Sequence, residues 1–202
     1  VTQNSNLNCV YCQVTSNKNT HKNTLMTKEV ARKSVDIALE SPSHFLAFEF
    51  QGGEPLLNFP VIKEIVNYTK KKNAKKKIEY RLVTNLTLMT DEILDFIEEN
   101  KISISISLDG DEYIQNLNRP YKNGKGSFER VIYWIEKIRN RKNIIVSALP
   151  TITKESLSRI DELLETYISL GFKNIFIRSL SPFGSATDNW DNIGYSASEF
   201  SL

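Results

Sequence analysis

Cysteine is scarce in this 202-residue chain: there are two, Cys9 and Cys12, and only two histidines, His21 and His44. So few thiols exclude a disulfide-stapled scaffold. A structural zinc site takes about four protein ligands, and neither histidine stands at a recognisable ligand spacing from the cysteines. Also lacking is any run of roughly 18 to 20 consecutive apolar residues, or a charged-then-apolar leader. That excludes a helical membrane span and implies a soluble, cytoplasmic protein with no membrane partner. Neither sign of charge dominates, since 26 basic and 24 acidic residues leave a net +2. So small a balance gives no reason to expect nucleic acid. The one dense basic run, KKKNAKKK from Lys70 to Lys77, falls where a helix should pass to a strand. It reads either as a solvated connection or as a docking patch for an acidic peptide or redox partner. What is present is 40% apolar content, enough for one sizeable core and a single domain.

Helical and strand patterns alternate along the chain, the signature of a parallel sheet built from strand-helix units. Strands are expected at His44 to Phe50, Ile78 to Thr84, Ile102 to Leu108, Asn143 to Leu149 and Asn174 to Leu180, with a truncated first strand ending at Val1 to Gln3. Helices are expected to begin near Thr27, Pro60, Asp91 and Ser127. A further one spans Ser156 to Leu170, where Leu157, Ile160, Leu163, Leu164, Tyr167 and Ile168 recur at helical spacing before Gly171. In ISISISL the isoleucines 102, 104 and 106 share one face and Ser103, Ser105 and Ser107 the other. The same phase puts Glu49, Gln51, Arg81 and Arg178 on the concave side. Such a face either holds a polar ligand or satisfies itself through its own hydrogen bonds.

Three motifs follow strands or flank them. The pair Cys9-x-x-Cys12 lies in a long loop from Asn4 to Leu25; taken alone it reads as a redox dithiol, cluster ligands or two ordinary buried thiols. It does not open a helix, as a thioredoxin-like thiol pair would. FQGGEPL, residues 50 to 56, places Gly52, Gly53 and Glu54 at the C-terminal end of a strand, either as a simple turn or as a close backbone approach to a ligand. SLDG, from Ser107 to Gly110, puts a hydroxyl and the Asp109 carboxylate at the same rim.

Taken together and in order, SNLNCVYC, FQGGEP, VTN, SLDG, RPYKNGKGSFERV and IRSLSP resemble the motifs of radical S-adenosylmethionine (SAM) enzymes. More narrowly they are similar to the peptide-maturing, sulfatase-maturase-like branch, and most of all to the radical SAM maturase of the His-Xaa-Ser peptide system. The resemblance implies an α/β partial (β/α)6 TIM-like barrel, a [4Fe-4S] cluster held by three thiolates in a C-x3-C-x2-C loop, and a 5′-deoxyadenosyl radical made from SAM. It also implies a peptide or protein substrate and a reductant such as a flavodoxin or ferredoxin. Matched by position, Cys9 and Cys12 are the second and third cluster ligands and Tyr11 the aromatic beside cluster and adenine. Gly52, Gly53 and Glu54 receive the SAM amino group. Ser107 reaches its ribose or carboxylate. Arg130 faces the carboxylate, with Arg119 as the competing candidate. Asn85 and Asp109 contact SAM or serve structure, and Leu180 offers its backbone to adenine.

Two departures qualify the resemblance. Ser5 stands where the first cluster cysteine belongs, and iron of this kind prefers thiolate. An engineered replacement, a labile cluster held with serine or an outside ligand, and a lineage that kept the fold but lost the chemistry are all compatible with it. The alternative function is then a non-catalytic SAM- or peptide-binding barrel. Relatives of this branch also continue into a cysteine-rich auxiliary-cluster domain, so residues 1 to 202 read as a core fragment truncated at its N-terminus. The Ser-, Asn- and Asp-containing tail from Ser181 onward is expected to be irregular. No general acid or base stands out.

Overall fold

The computed structural model describes residues 1–14 and 24–201; His21 and the middle of the Asn4 to Leu25 loop lie outside the described residues. Helix α1 (Lys28–Leu39) leads into strand β1 (Phe45–Phe50), a 3-10 turn (Pro55–Asn58) and α2 (Phe59–Lys72). Strand β2 (Lys77–Thr84), α3 (Asp91–Glu99), β3 (Ser103–Ile106), α4 (Glu112–Asn118), α5 (Phe128–Arg139) and β4 (Val146–Ala148) follow. The four strands lie side by side in the order β1-β2-β3-β4, all parallel, each reached through a helical crossover. Two of the expected helix starts, those of α1 and α3, are made by side chains that satisfy first-turn amides. Thr27 accepts from the Val30 N–H at 3.2 Å, and Thr90 from Ile93 at 3.2 Å.

The sheet extends beyond its named strands at both edges through isolated parallel bridges. Thr2 pairs with Gly52 on one side, while Ala148 pairs with Ile175 and Thr151 with Arg178 on the other. The two outer strands expected from the sequence are thus present as bridges rather than continuous ladders. For the segment 174–180 the reason is Pro150, which lies opposite it. Phe176 donates to Ala148 O and Arg178 to Pro150 O, but Pro150 has no N–H with which to return a bond, so the ladder breaks there.

Strand alternation decides what faces what. Ile102, Ile104 and Ile106 are at most 1% exposed and pack with Leu82, Val66, Val131 and Trp134 in the layer between sheet and helices. Ser103, Ser105 and Ser107 face the opposite, concave side. That side is in part self-satisfied: Ser105 Oγ and Ser147 Oγ pair at 3.2 Å, Arg81 bonds Glu79 at 3.1 Å, and Gln51 donates to Glu49.

Three expectations need correction. The single helix Ser156 to Leu170 is two, α6 (Lys154–Leu157) and α7 (Ile160–Ser169). A reciprocal Thr153–Ser156 cap starts the first, and Arg159, at φ −131° and ψ 36°, breaks the run. Helix α4, which no sequence pattern announced, is nucleated by Asp111 accepting from Ile114 N–H at 2.9 Å. The tail after Ser181 is not irregular: it forms α8 (Ser185–Ile193) and α9 (Ala197–Phe200). In α8, Ala186, Trp190 and Ile193 fall at i, i+4 and i+7 and make one apolar stripe, which outweighs the polar composition. The lysine run sits at the N-terminal ends of the strands. Lys70, Lys71 and Lys72 close α2, and Lys76 Nζ bonds the Ser43 carbonyl at 2.7 Å.

Ile106→Ala should lower unfolding free energy by about 2–5 kcal/mol, because Ile106 is 0% exposed. Ser105→Ala, which gives up one hydroxyl pair, should cost about 0.5–1.5 kcal/mol. Urea denaturation of the two variants measures both.

Candidate active site

At the C-terminal ends of the strands the paired glycines bring two backbones into contact. Gly53 N–H donates to Thr2 O at 2.8 Å and Glu54 N–H to Asn4 O at 2.7 Å. A Cβ at Gly52 would stand 1.9 Å from Thr2 O, and one at Gly53 2.1 Å from Asn4 O. Gly52 also has a φ of 150°, a region side chains rarely adopt. Only glycine lets the segment that leads to Ser5 and the cysteines cross the end of β1. Beside this crossing opens a cavity of about 930 Å³, lined by Ser5, Cys9, Tyr11, Cys12, Gly52 and Gly53, and across from them by Asn85, Ser107, Arg119 and Leu180.

The cysteine loop is anchored from beneath by a buried carboxylate. Asp109, 0% exposed, accepts from the Tyr11 hydroxyl, from Asn118 Nδ2 at 3.2 Å and from the Thr151 N–H at 3.2 Å. Arg119 Nε lies 3.0 Å from Asp109 Oδ1, as an off-axis charge contact rather than an aligned hydrogen bond. Burial opposes the charge on Arg119, but the Asp109 carboxylate, together with Tyr11 and Cys9 beside it, offsets this and keeps it a cation. The guanidinium lies over the Tyr11 ring, 5.2 Å from its centre, and reaches 3.9 Å from Cys9 Sγ. Burial pushes the Cys9 thiol up to about 11, against the lowering influence of Arg119. From above, the tail closes on the same loop: Ser185 N–H donates to Cys12 O at 2.9 Å and Asn189 Nδ2 to Val10 O at 3.0 Å.

Glu54 is 1% exposed and faces inward, not into the cavity. Its carboxylate accepts from Thr84 Oγ1 at 2.7 Å, Asn85 N–H at 2.8 Å and Leu56 N–H at 3.0 Å. Burial outweighs those bonds and raises its pKa from 4.5 to about 7.

With this geometry in hand, comparison with known proteins is direct. Residues 1–167 match the family model described as Radical SAM superfamily. The chain belongs to the radical SAM superfamily. An uncharacterized protein of Methanocaldococcus jannaschii is 35% identical over 182 residues, 90% of this chain and 61% of that protein. The Cysteine-type anaerobic sulfatase-maturating enzyme of Clostridium novyi is 29% identical over 192 residues, 92% of this chain and 51% of the enzyme. The solved structure of native anSMEcpe with bound AdoMet and Kp18Cys peptide superposes at a TM-score of 0.81 with 26% identity, over 89% of this chain and 49% of that one. The chain therefore spans about half to three fifths of the length of these relatives. The fold is that of a radical SAM partial barrel, and the place in the peptide-maturing branch agrees with the relatives.

Radical SAM enzymes take SAM and a [4Fe-4S] cluster, and the two groups fit this chain differently. The cavity has backbone, hydroxyl, amide and guanidinium groups on its wall, which fit the polar groups of SAM. The cluster position has two thiols and the Ser5 hydroxyl, whose oxygen accepts from Leu7 N–H at 3.2 Å. Among the described residues no group of three or more Cys, His, Asp and Glu comes together, so the loop is one thiolate short of the family's set. Of the residues singled out by sequence, Ser5, Cys9, Tyr11, Cys12, Gly52, Gly53, Asn85, Ser107 and Leu180 line the cavity. Glu54 and Asp109 do not: they are spent beneath it, joining elements. Arg130 is a correction. Its guanidinium donates to the Thr87 and Met89 carbonyls at 3.3 and 3.2 Å and lies over Trp134, on the helix layer. Of the two candidates, Arg119 is the one that reaches the cavity. The Leu180 N–H is taken by Tyr195 Oη at 2.7 Å, which leaves the carbonyl as its backbone offer. Thr151, Ser179 and Ser181 also line the wall; standing at or just after the C-terminal end of an expected strand was the one signal that marked them.

Gly53→Ala should push Asn4 off the end of β1, costing about 1–3 kcal/mol and weakening SAM affinity, as thermal unfolding and calorimetric titration will show. Glu54 holds a proton in the folded chain between pH 4.5 and about 7 that the unfolded chain releases. Its contribution to stability is therefore fully present below about 4.5 and lost as pH rises through about 7. Subtracting the urea stability of Glu54→Gln from that of the parent across pH 4 to 8 should return that slope.

Proposed function

We propose that this chain is the SAM-binding core of a radical SAM enzyme that modifies a residue of a peptide or protein, with Cys9 and Cys12 as thiolate ligands of a [4Fe-4S] cluster. The observation that carries the reading is convergence: two thiols, two ligand-approaching glycines, Ser107, Asn85 and a buried cation reach one cavity from five separate segments. A peptide substrate is supported by the sulfatase-maturating relatives and by the peptide held in a structural neighbour. A cluster held by Cys9 and Cys12 would supply one-electron reducing chemistry toward the SAM sulfonium.

The chain's own residues bind and orient. The Gly52 and Gly53 backbone carbonyls accept from the SAM ammonium, and Arg119 attracts its carboxylate through charge-assisted hydrogen bonds. Ser107 and Asn85 meet the remaining polar groups. Tyr11 packs its ring against the cofactor, the Leu180 carbonyl meets adenine, and α8 shields the loop from water. A flavodoxin or ferredoxin is the class of reductant this chemistry asks for.

Ser5 favours a second reading, a barrel that binds SAM and peptide without a cluster. Anaerobic reconstitution of the chain and of Ser5→Cys, with iron content and SAM affinity measured on each, separates the two. The enzyme reading expects Ser5→Cys to hold about four irons and to release 5′-deoxyadenosine under dithionite. SAM binding with no iron retained by either protein selects the second reading, and loss of both overturns the two together.

A further inference from the structure

Beside the cavity runs an unfinished sheet edge. In the segment 174–180, the backbone groups of Asn174, Phe176 and Arg178 that bond at all bond inward: Ala148 N–H to Asn174 O at 3.0 Å, Phe176 N–H to Ala148 O at 2.9 Å, Arg178 N–H to Pro150 O at 3.0 Å and Ile152 N–H to Arg178 O at 2.9 Å. In an extended chain the alternate residues point their N–H and C=O the other way. Those residues, Ile175, Ile177 and Ser179, bond to no described residue through either backbone group. The edge is open in side chains as well: Phe176 is 59% and Ile177 51% exposed. Proteins rarely leave such an edge bare, because it templates another strand.

Three observations say what fits it. The edge continues into the cavity, since Ile177, Arg178, Ser179 and Leu180 line its wall. A strand paired here would therefore run to the place where SAM is proposed to sit. Two large apolar side chains, Phe176 and Ile177, flank the pairing register, as in sites that bind extended peptides by adding a strand to a sheet. The Arg178 guanidinium has no hydrogen-bond or ion-pair partner among the described residues, so it favours an acidic group on the arriving strand.

We propose that the 174–180 edge is the docking rail for the substrate: an extended peptide carrying an acidic residue pairs its backbone with Ile175, Ile177 and Ser179 as a further parallel or antiparallel strand, with Arg178 reading the acid. This rests on the peptide-modifying reading above and adds how the peptide is held. Backbone pairing accounts for affinity that does not depend on sequence, and Arg178 for selectivity.

The test uses the whole chain with SAM and a peptide selected on that complex from a random dodecamer pool. Amide hydrogen exchange read by NMR should show Ile177 and Ser179 exchanging freely in the chain alone and slowing at least tenfold with peptide. Ile177→Pro, which removes an N–H that the free chain does not use, should weaken peptide binding tenfold or more, while Ile177→Val keeps it. Arg178→Gln should erase the preference for the selected peptide over its Glu-to-Gln counterpart. Peptide binding without protection at Ile177 and Ser179 overturns the rail and leaves the peptide-modifying reading standing. Protection that grows with protein concentration and needs no peptide assigns the edge to a second copy and also overturns it. If no peptide in the pool binds the parent chain, the rail and the peptide reading fall together.

Discussion

The buried Asp109 carboxylate is the constraint on which the site depends. It ties Tyr11 of the cysteine loop, Asn118 and Arg119 at the end of α4, and the Thr151 amide after β4 to the end of β3. The cysteine loop, the end of α4 and the segment after β4 thus meet on one side chain. Such a charge is costly to bury alone, so removing any partner leaves a desolvated carboxylate behind. That penalty makes the arrangement cooperative. The cysteine loop packs Cys9, Val10 and Tyr11 in a small apolar cluster with Leu180 and α8, and the network adds to this by fixing Tyr11 while Arg119 fixes the approach to Cys9.

Glu54 plays the matching part at the other wall. Its carboxylate joins the end of β1 to Thr84 and Asn85 at the end of β2, while the two glycines before it hold the N-terminal segment by backbone contact. Glu54, which the sequence reading placed against the cofactor, and Asp109, for which it left contact and structure open, are thus both supports that position what does line the cavity. Their burial is what separates the roles. An exposed carboxylate at a rim can face a ligand, whereas Glu54 and Asp109 are buried and each already accepts three hydrogen bonds from within the fold.

The concave surface explains why this barrel is not a dry one. Serines, glutamates and arginines occupy the inward positions of successive strands, and only part of their bonding is internal. Ser105 with Ser147 and Arg81 with Glu79 are paired, whereas Arg178 and the outer backbone of the 174–180 segment are left for something else. Pro150 adds to this asymmetry, because its missing N–H interrupts the inner ladder of the 174–180 segment, while the unbonded groups of Ile175, Ile177 and Ser179 face the other way.

How much of this was legible before the fold is best judged residue by residue. The alternation in ISISISL determined which face of β3 is buried, and Thr27, Asp91 and Ser127 marked helix starts, because side-chain period and capping are local properties of the chain. The motif order determined the family and nine of the cavity residues. Tertiary structure alone decided that Arg119 rather than Arg130 reaches the cavity, since one caps the end of α4 and the other lies in the first turn of α5, and only the packing of those helices orients them. It also decided that Glu54 and Asp109 turn inward, that the polar tail folds as α8 over the cysteines, and that Pro150 interrupts the last strand pairing. Each of these depends on a partner far away along the chain, and no local pattern encodes the distance between two segments that meet only when the sheet has formed.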